Sequence, residues 1–346
     1  MTQFKNFILL TRFILKVRAV NREKGKYHRL VKKVAEKEFS YLHKINDGSV
    51  DRLHFLKIQW YMVTNLYLGE LIAGLRPQKL STNEKKSLIY LGALMAITDL
   101  MIDDLKVKPE RIAVLLKGNY DTSENPSAFE QVFVLFHQKL IANIENEKAA
   151  YIQDFSLREP QLDSKTQMHE ELTEFEVHEI TRKKGGTAIL LTTSLLFDIT
   201  ERNQEAFYQL GAFIQYMNDS QDIFKDAHAG ITTFASFCNN FDEVNARLKQ
   251  EFDQTTALFL QTDFPRKSLY ELLFYLNALY TGVLYKNKEF SRKHSNTIDI
   301  DNLRSIDRSR FNEQMFSVKS LLFCMPRILT YAIPIAHNND KDAQRN

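Results

Sequence analysis

Residues 210–230 read LGAFIQYMNDSQDIFKDAHAG. Laid out as one helix, Gly211, Gln215, Asn218, Asp222 and Asp226 fall four, three, four and four apart. Residues at those spacings share a helix face, with Cβ atoms about 5–6 Å apart. The face therefore carries two amides and two carboxylates, with Asp219 at its edge. Phe213, Met217 and Phe224 fall largely on other faces. A solvated helix face is normally built from Glu, Lys, Arg and Gln, which favour the helix. Here Asn218, Asp219, Ser220, Asp222 and Asp226 all compete with the helical backbone, so something other than helix stability selected them. Oxygen ligands one turn apart suit a hard divalent cation. Mg²⁺ takes one or two carboxylates, keeps several waters and shares the phosphates of a substrate.

The composition agrees with a helical reading. The 346-residue chain has only 11 Gly and 7 Pro, so turns are few and elements long. Every long apolar stretch has the helical period, and none alternates as a strand would. The expectation is an all-α fold, a single helical bundle over residues 1–346, with amphipathic and charged helices at 1–46 on its periphery. Hydrophobic residues make up 44% of the chain, enough for a large core. A net charge of +3, from 46 basic and 43 acidic residues, gives no field for nucleic acid, and none is expected as a partner. Cys238 and Cys324 form neither a disulfide framework nor a zinc pattern, which favours a reducing, cytoplasmic compartment. No secretory signal is expected, since Arg12 interrupts the first apolar run. No stretch offers the ~20 apolar residues of a membrane span. The nearest, 315–336, contains Lys319, Pro326, Arg327 and Pro334.

Along the chain, residues 3–20 read as a basic amphipathic helix, placed either on an anionic membrane surface or against the bundle. Charged residues 24–46 read as a second, exposed helix, and 52–75 as an apolar-rich one carrying the single tryptophan, Trp60. Ser81 and Glu84 are spaced as a capping box and open a helix running to about residue 105. Further helices are expected at 109–117, 128–155, 163–182, 203–228, 241–260, 267–287 and 311–332. Gly185-Gly186 is expected to break or kink the path, and 288–310 to be a polar connector.

The helix ending near 105 supplies a second acidic cluster. Asp99 and Asp103 are four apart on one face, with Asp104 about 100° further round. The preceding LIYLGALMAI is apolar on nearly every side. Carboxylates at the end of a buried helix need partners or a metal. Two acidic helices facing across a bundle could hold Mg²⁺ ions that clamp a diphosphate.

This pair of clusters resembles the class I isoprenoid (terpenoid) synthases. Asp99-x-x-x-Asp103-Asp104 is similar to the first aspartate-rich motif in its squalene/phytoene synthase form. Gln215-x-x-Asn218-Asp219-x-x-Asp222-x-x-x-Asp226-x-x-x-Gly230 is similar to the second motif of the superfamily. Asn218, Asp222 and Asp226 also resemble the terpene cyclase metal triad, with Asp at its second and third positions. The chain departs from trans-prenyltransferases in lacking a paired Asp at 98–99. It departs from head-to-head synthases in lacking a Y-C-x-x-x-A-G segment.

The resemblance implies an isoprenoid synthase-type bundle with a central active-site cavity, Mg²⁺ as cofactor and a prenyl diphosphate as substrate. The implied metal ligands are Asp99, Asp103, Asp104, Asn218, Asp219, Asp222 and Asp226. A diphosphate also needs cationic and amide donors. Arg182 and Lys225 are expected to stabilise the leaving group, with Lys183, Gln215 and Arg310 as further substrate contacts. Arg182, Lys183 and Lys184 are expected at a helix break that frees backbone N–H groups. Glu and His residues at 169–179 lack the spacing of a di-iron bundle and read as a solvated face. Three functions remain open: a terpene cyclase-like synthase, a prenyl-transferring or head-to-head condensing synthase, and a non-catalytic helical protein that binds prenyl lipid or membrane.

Overall fold

A computed structural model describes residues 2–103, 105, 107–116, 126–144, 172–306 and 318–332. Among the described residues there are twelve α-helices and no strand, so the fold is all-α. The helices are α1 (Thr2–Asn21), α2 (Lys26–Ile45), α3 (Arg52–Ile72), α4 (Thr82–Asp103), α5 (Pro109–Leu116) and α6 (Ala128–Ile141). They continue with α7 (Glu174–Ser194), α8 (Glu201–Ala229), α9 (Phe241–Leu260), α10 (Arg266–Lys293), α11 (Ile300–Ser305) and α12 (Val318–Leu329).

Most of the inner helices open on a short polar residue that satisfies an orphan backbone N–H. Glu84 N donates to Ser81 Oγ at 3.1 Å while Ser81 N donates to Glu84 Oε2 at 2.7 Å, the reciprocal box expected from the sequence. Asp51, Ser127, Thr173 and Thr200 start α3, α6, α7 and α8 in the same way. The long helix α8 ends where Gly230 turns left-handed at φ 69°, a conformation that costs glycine nothing.

Four helices make the centre. α3 packs on α4, α7 packs on α8, and α3 touches α7. Residues 88–91, 93, 94, 96 and 97 of α4 are all buried, so this helix is covered on every side, as its unbroken apolar run requires. α1 docks on the outside of the bundle. Its Leu9, Leu10, Phe13 and Val17 pack with Phe274 and Tyr275 of α10 and with Cys324 and Ile328 of α12. Asn6 fixes the seat: its Nδ2 donates to the carbonyls of Leu329 at 2.9 Å and Tyr331 at 3.0 Å.

The observed helices differ from the expected ones at three places. The helix at 128 stops at Ile141 and turns at 142–144, with 145–155 outside the described residues. α7 begins at Glu174, capped by Thr173, and runs unbroken through Gly185-Gly186 to Ser194, so the expected break is absent. The two glycines serve instead as the place where α8 comes close. A Cβ on Gly185 would meet the Gly211 carbonyl, and one on Gly186 would meet the Tyr208 ring. Residues 288–293 continue α10, and α11 occupies 300–305 of the expected connector. The expected start of the last helix, at 311, lies outside the described residues, which take the helix up at Val318. Among the described residues, no helix is long and apolar enough to cross a membrane.

Candidate metal and diphosphate site

The acidic face of α8 is organised around Asp219 rather than around Asp222. Asp219 is only 5% exposed and sits against α7, not at the edge of the stripe. Its carboxylate accepts from Gln215 Nε2 at 2.7 Å and from Thr181 Oγ1 at 3.2 Å. Asp226, two turns further along, is also buried, at 8% exposure. Asp222 lies between them and is half-buried, with Lys225 Nζ at 3.3 Å. Asn218 is the outermost residue of the stripe and is exposed.

Burial pushes the Asp219 carboxyl up to about 6, opposed by the Gln215 and Thr181 hydrogen bonds and by the Lys184 ammonium. Burial, followed by repulsion from Asp219 and Asp222, pushes Asp226 up to about 7, with Lys225 and Lys184 partly offsetting it. Three carboxylates thus repel one another on a single helix face. Lys286 of α10 faces the same group. Burial lowers its pKa and the Asp222 carboxylate raises it.

The first acidic cluster is tied to α3. Asp99 is buried, and its Oδ2 lies 2.5 Å from Lys57 Nζ. Asp103 closes α4, but its side chain and the whole of Asp104 lie outside the described residues.

Contacts between the central helices relate the two clusters. α3 and α4 run antiparallel, since Lys57 meets Asp99 while Asn65 Nδ2 donates to Leu88 O at 2.7 Å. α7 and α8 also run antiparallel, with Thr181 at Asp219 and Gly185 at Gly211. α3 and α7 run in the same sense. Asn65 Oδ1 accepts from Thr192 Oγ1 at 2.8 Å, and Arg76, just beyond α3, donates to Leu196 O at 2.6 Å. Lys57 precedes Asn65 by eight residues, or about 12 Å at 1.5 Å per residue. The same step back from Thr192 reaches Lys184, the ammonium beside Asp219 and Asp226. The two acidic clusters therefore lie at the same end of the bundle.

The expected basic contacts divide. Lys225 stands on the stripe, paired with Asp222. Arg182 turns to α9 instead, where its Nη1 lies 3.3 Å from Glu251 Oε2. Gln209 Nε2 donates to the same carboxylate at 2.7 Å, so Arg182 neutralises a buried acid. With α7 unbroken, no backbone N–H groups are freed at 182–184. Lys183 is half-buried on α7, and Arg310 lies outside the described residues. Arg304 of α11 donates to Ala227 O at 3.1 Å and so satisfies a carbonyl at the end of α8. His169, Glu170 and Glu171 lie outside the described residues, whereas Glu174 and His178 pair with each other at 3.2 Å.

Sequence reasoning missed Lys57, Thr181 and Lys286 as neighbours of the acidic residues. Lys57 carried one signal, as a cation within the apolar-rich stretch 52–75. The other two carried none, because their position depends on how α7 and α10 pack on α8.

Among the described residues, no three His, Cys, Asp or Glu side chains converge to form a closed ion site. The donor set nevertheless suits Mg²⁺, which needs only one or two carboxylates when waters and substrate phosphates complete its shell. Mutual repulsion of Asp219, Asp222 and Asp226 is the charge that such an ion would relieve. Clefts of about 530 Å³ beside Arg76 and beside Phe323, and of about 280 Å³ beside His178, have no stripe residue in their walls.

No protein family profile matches the chain, and no curated protein matches it. Among solved structures, the chain is similar to a geranyltransferase from Legionella pneumophila, with 16% identity and a TM-score of 0.42 over 75% of this chain and 98% of that one.

Proposed function

We propose that the protein is a Mg²⁺-dependent class I isoprenoid synthase that ionises an allylic prenyl diphosphate and releases diphosphate, in the manner of a terpene cyclase. The observation that carries this reading is the crowd of mutually repelling carboxylates on α8, at the bundle end that also holds Asp99. Asp99, Asn218, Asp222 and Asp226 would hold the metal. When bound, Mg²⁺ supplies positive charge to the diphosphate oxygens.

The chain's own cations do the rest. Lys225, Lys184 and Lys286 border the stripe and would meet the negative charge that develops on the departing group. Lys57 is already bound to Asp99 and would exchange that carboxylate for a diphosphate oxygen. Gln215 holds Asp219 in place, and Asp219 in turn fixes the Thr181 side of α7. Charge neutralisation, rather than a covalent nucleophile, would lower the barrier.

The test is diphosphate release from geranyl, farnesyl and geranylgeranyl diphosphates, with Mg²⁺ or with EDTA, using Asp222→Ala as the control. Release that requires both Mg²⁺ and Asp222 is the expected result. The mass of the extracted product then separates cyclisation from condensation with a second prenyl unit. No release from any of the three, alone or with isopentenyl diphosphate, would overturn the proposal in favour of a non-catalytic lipid-binding protein.

A further inference from the structure

The first helix has two apolar faces, and the bundle uses only one. Leu9, Leu10, Phe13 and Val17 point inward and are buried. On the opposite side Phe4, Phe7, Ile8 and Leu15 are exposed by 71, 51, 39 and 60%. Their spacings of three, one and seven keep them within one face of the helix. A surface helix that simply seals a core turns polar residues outward. α9 does so, presenting Asp242, Glu243, Lys249, Gln250 and Asp253 to solvent. α1 presents two phenylalanines, an isoleucine and a leucine, a grouping that marks an interaction surface.

Charge identifies the occupant. Residues 2–22 contain Lys5, Arg12, Lys16, Arg18 and Arg22 and no acidic residue. Arg12 and Arg18 are exposed beside the apolar stripe. Lys5 lies along one flank with its ammonium over the Tyr270 ring at 4.1 Å. Lys16 turns toward Glu70 of α3 at 3.7 Å. A second copy applied to this face would set Arg12 and Arg18 against cations of the same sign, with no acidic residue of α1 to pair them, so self-association through it is disfavoured. Apolar side chains bordered by basic ones match the interface of an anionic bilayer, where the rings enter the acyl boundary and the cations meet lipid phosphates.

We propose that the outward face of α1 docks the protein onto anionic lipid membranes. The helix lies flat on the surface while its inner face stays seated on α10 and α12. Asn6 and Tyr270, hydrogen-bonded to each other, hold that seat. This inference is independent of the proposed catalytic activity.

The test is flotation of the full-length protein with phosphatidylcholine vesicles, with and without phosphatidylserine. Binding should require the anionic lipid and weaken as salt is added, because the charge component is screened. The double variant Phe7→Asp/Ile8→Asp and, separately, Arg12→Glu/Arg18→Glu should each reduce binding about ten-fold or more. These side chains are exposed, so both variants should unfold at the wild-type temperature. Leu15→Ser is a milder variant that should give a smaller loss if the double change disturbs folding. Failure to float with either vesicle, or binding that the variants leave unchanged, would overturn the proposal. So would a dimer in solution that Phe7→Asp/Ile8→Asp dissociates.

Discussion

Gly185 and Gly211 meet backbone to backbone where α7 crosses α8. A Cβ on either residue would come well inside 3.0 Å of the other's carbonyl oxygen. Backbone cannot yield as a side-chain tip can, so the two helices must separate to admit a methyl group. Gly185→Ala and Gly211→Ala should each destabilise the protein by about 3 kcal/mol, the upper end of overpacking costs. Gly74→Ala is the comparison, since nothing lies within 4 Å of the added Cβ. It should stabilise by about 0.4–1 kcal/mol through the unfolded chain. Chemical denaturation of the three variants measures both effects. Equal stabilities would show that the crossing is not tight.

The buried carboxylates make stability depend on pH. Asp219 and Asp226 rise from an ordinary 3.8 to about 6 and about 7, so both hold protons more tightly folded than unfolded. Their favourable contribution is complete below the unfolded value and is lost as pH rises through the folded values. In EDTA the stability contributed by this pair should therefore fall between about pH 4 and about pH 7, by an amount on the order of a few kcal/mol. Burial lowers the pKa of His137, His178 and His294, which gives a slope of opposite sign. The difference between wild type and Asp226→Asn removes that background. The variant should be relatively more stable at pH 8 than at pH 5, and added Mg²⁺ should narrow the gap. A difference that does not change with pH would mean that Asp226 ionises normally.

Lys57 occupies the carboxylate that would bind metal on α4. Removing it leaves Asp99 buried without its partner. The pair is intermediate in exposure, so Lys57→Ala should cost about 1–2 kcal/mol, between surface and buried ion pairs. Mg²⁺ should then raise the melting temperature of the variant more than that of wild type, because it no longer competes with an ammonium. Trp60, the chain's single tryptophan, lies three residues from Lys57 and is partly exposed. Its emission gives a second readout, and inorganic diphosphate should change it in wild type and less in Lys57→Ala. Identical Mg²⁺ responses in the two proteins would remove Lys57 from the site.

Local sequence signals were enough for the all-α class, for most helix starts and for the two acidic clusters. These are local facts. Helix starts follow from capping pairs such as Ser81 with Glu84, and helix faces follow from spacings of three and four. The scarcity of Gly and Pro then leaves long elements, as α8 shows from Glu201 to Ala229. How those faces meet is set by packing between helices far apart in the chain. Gly185-Gly186 looked like a break because glycine is a poor helix former, yet it is where α8 approaches too closely to admit a Cβ. Arg182 looked available to a substrate, but Glu251, far along the chain, claims it. Asp219 looked peripheral on its own helix, and the packing of α7 made it the most buried acid of the stripe. Lys57 and Asp99 are forty-two residues apart and meet only because α3 and α4 pack antiparallel. Helical period fixes which residues share a face. The register between distant helices depends on the fit of side chains across their interface, which no local spacing records.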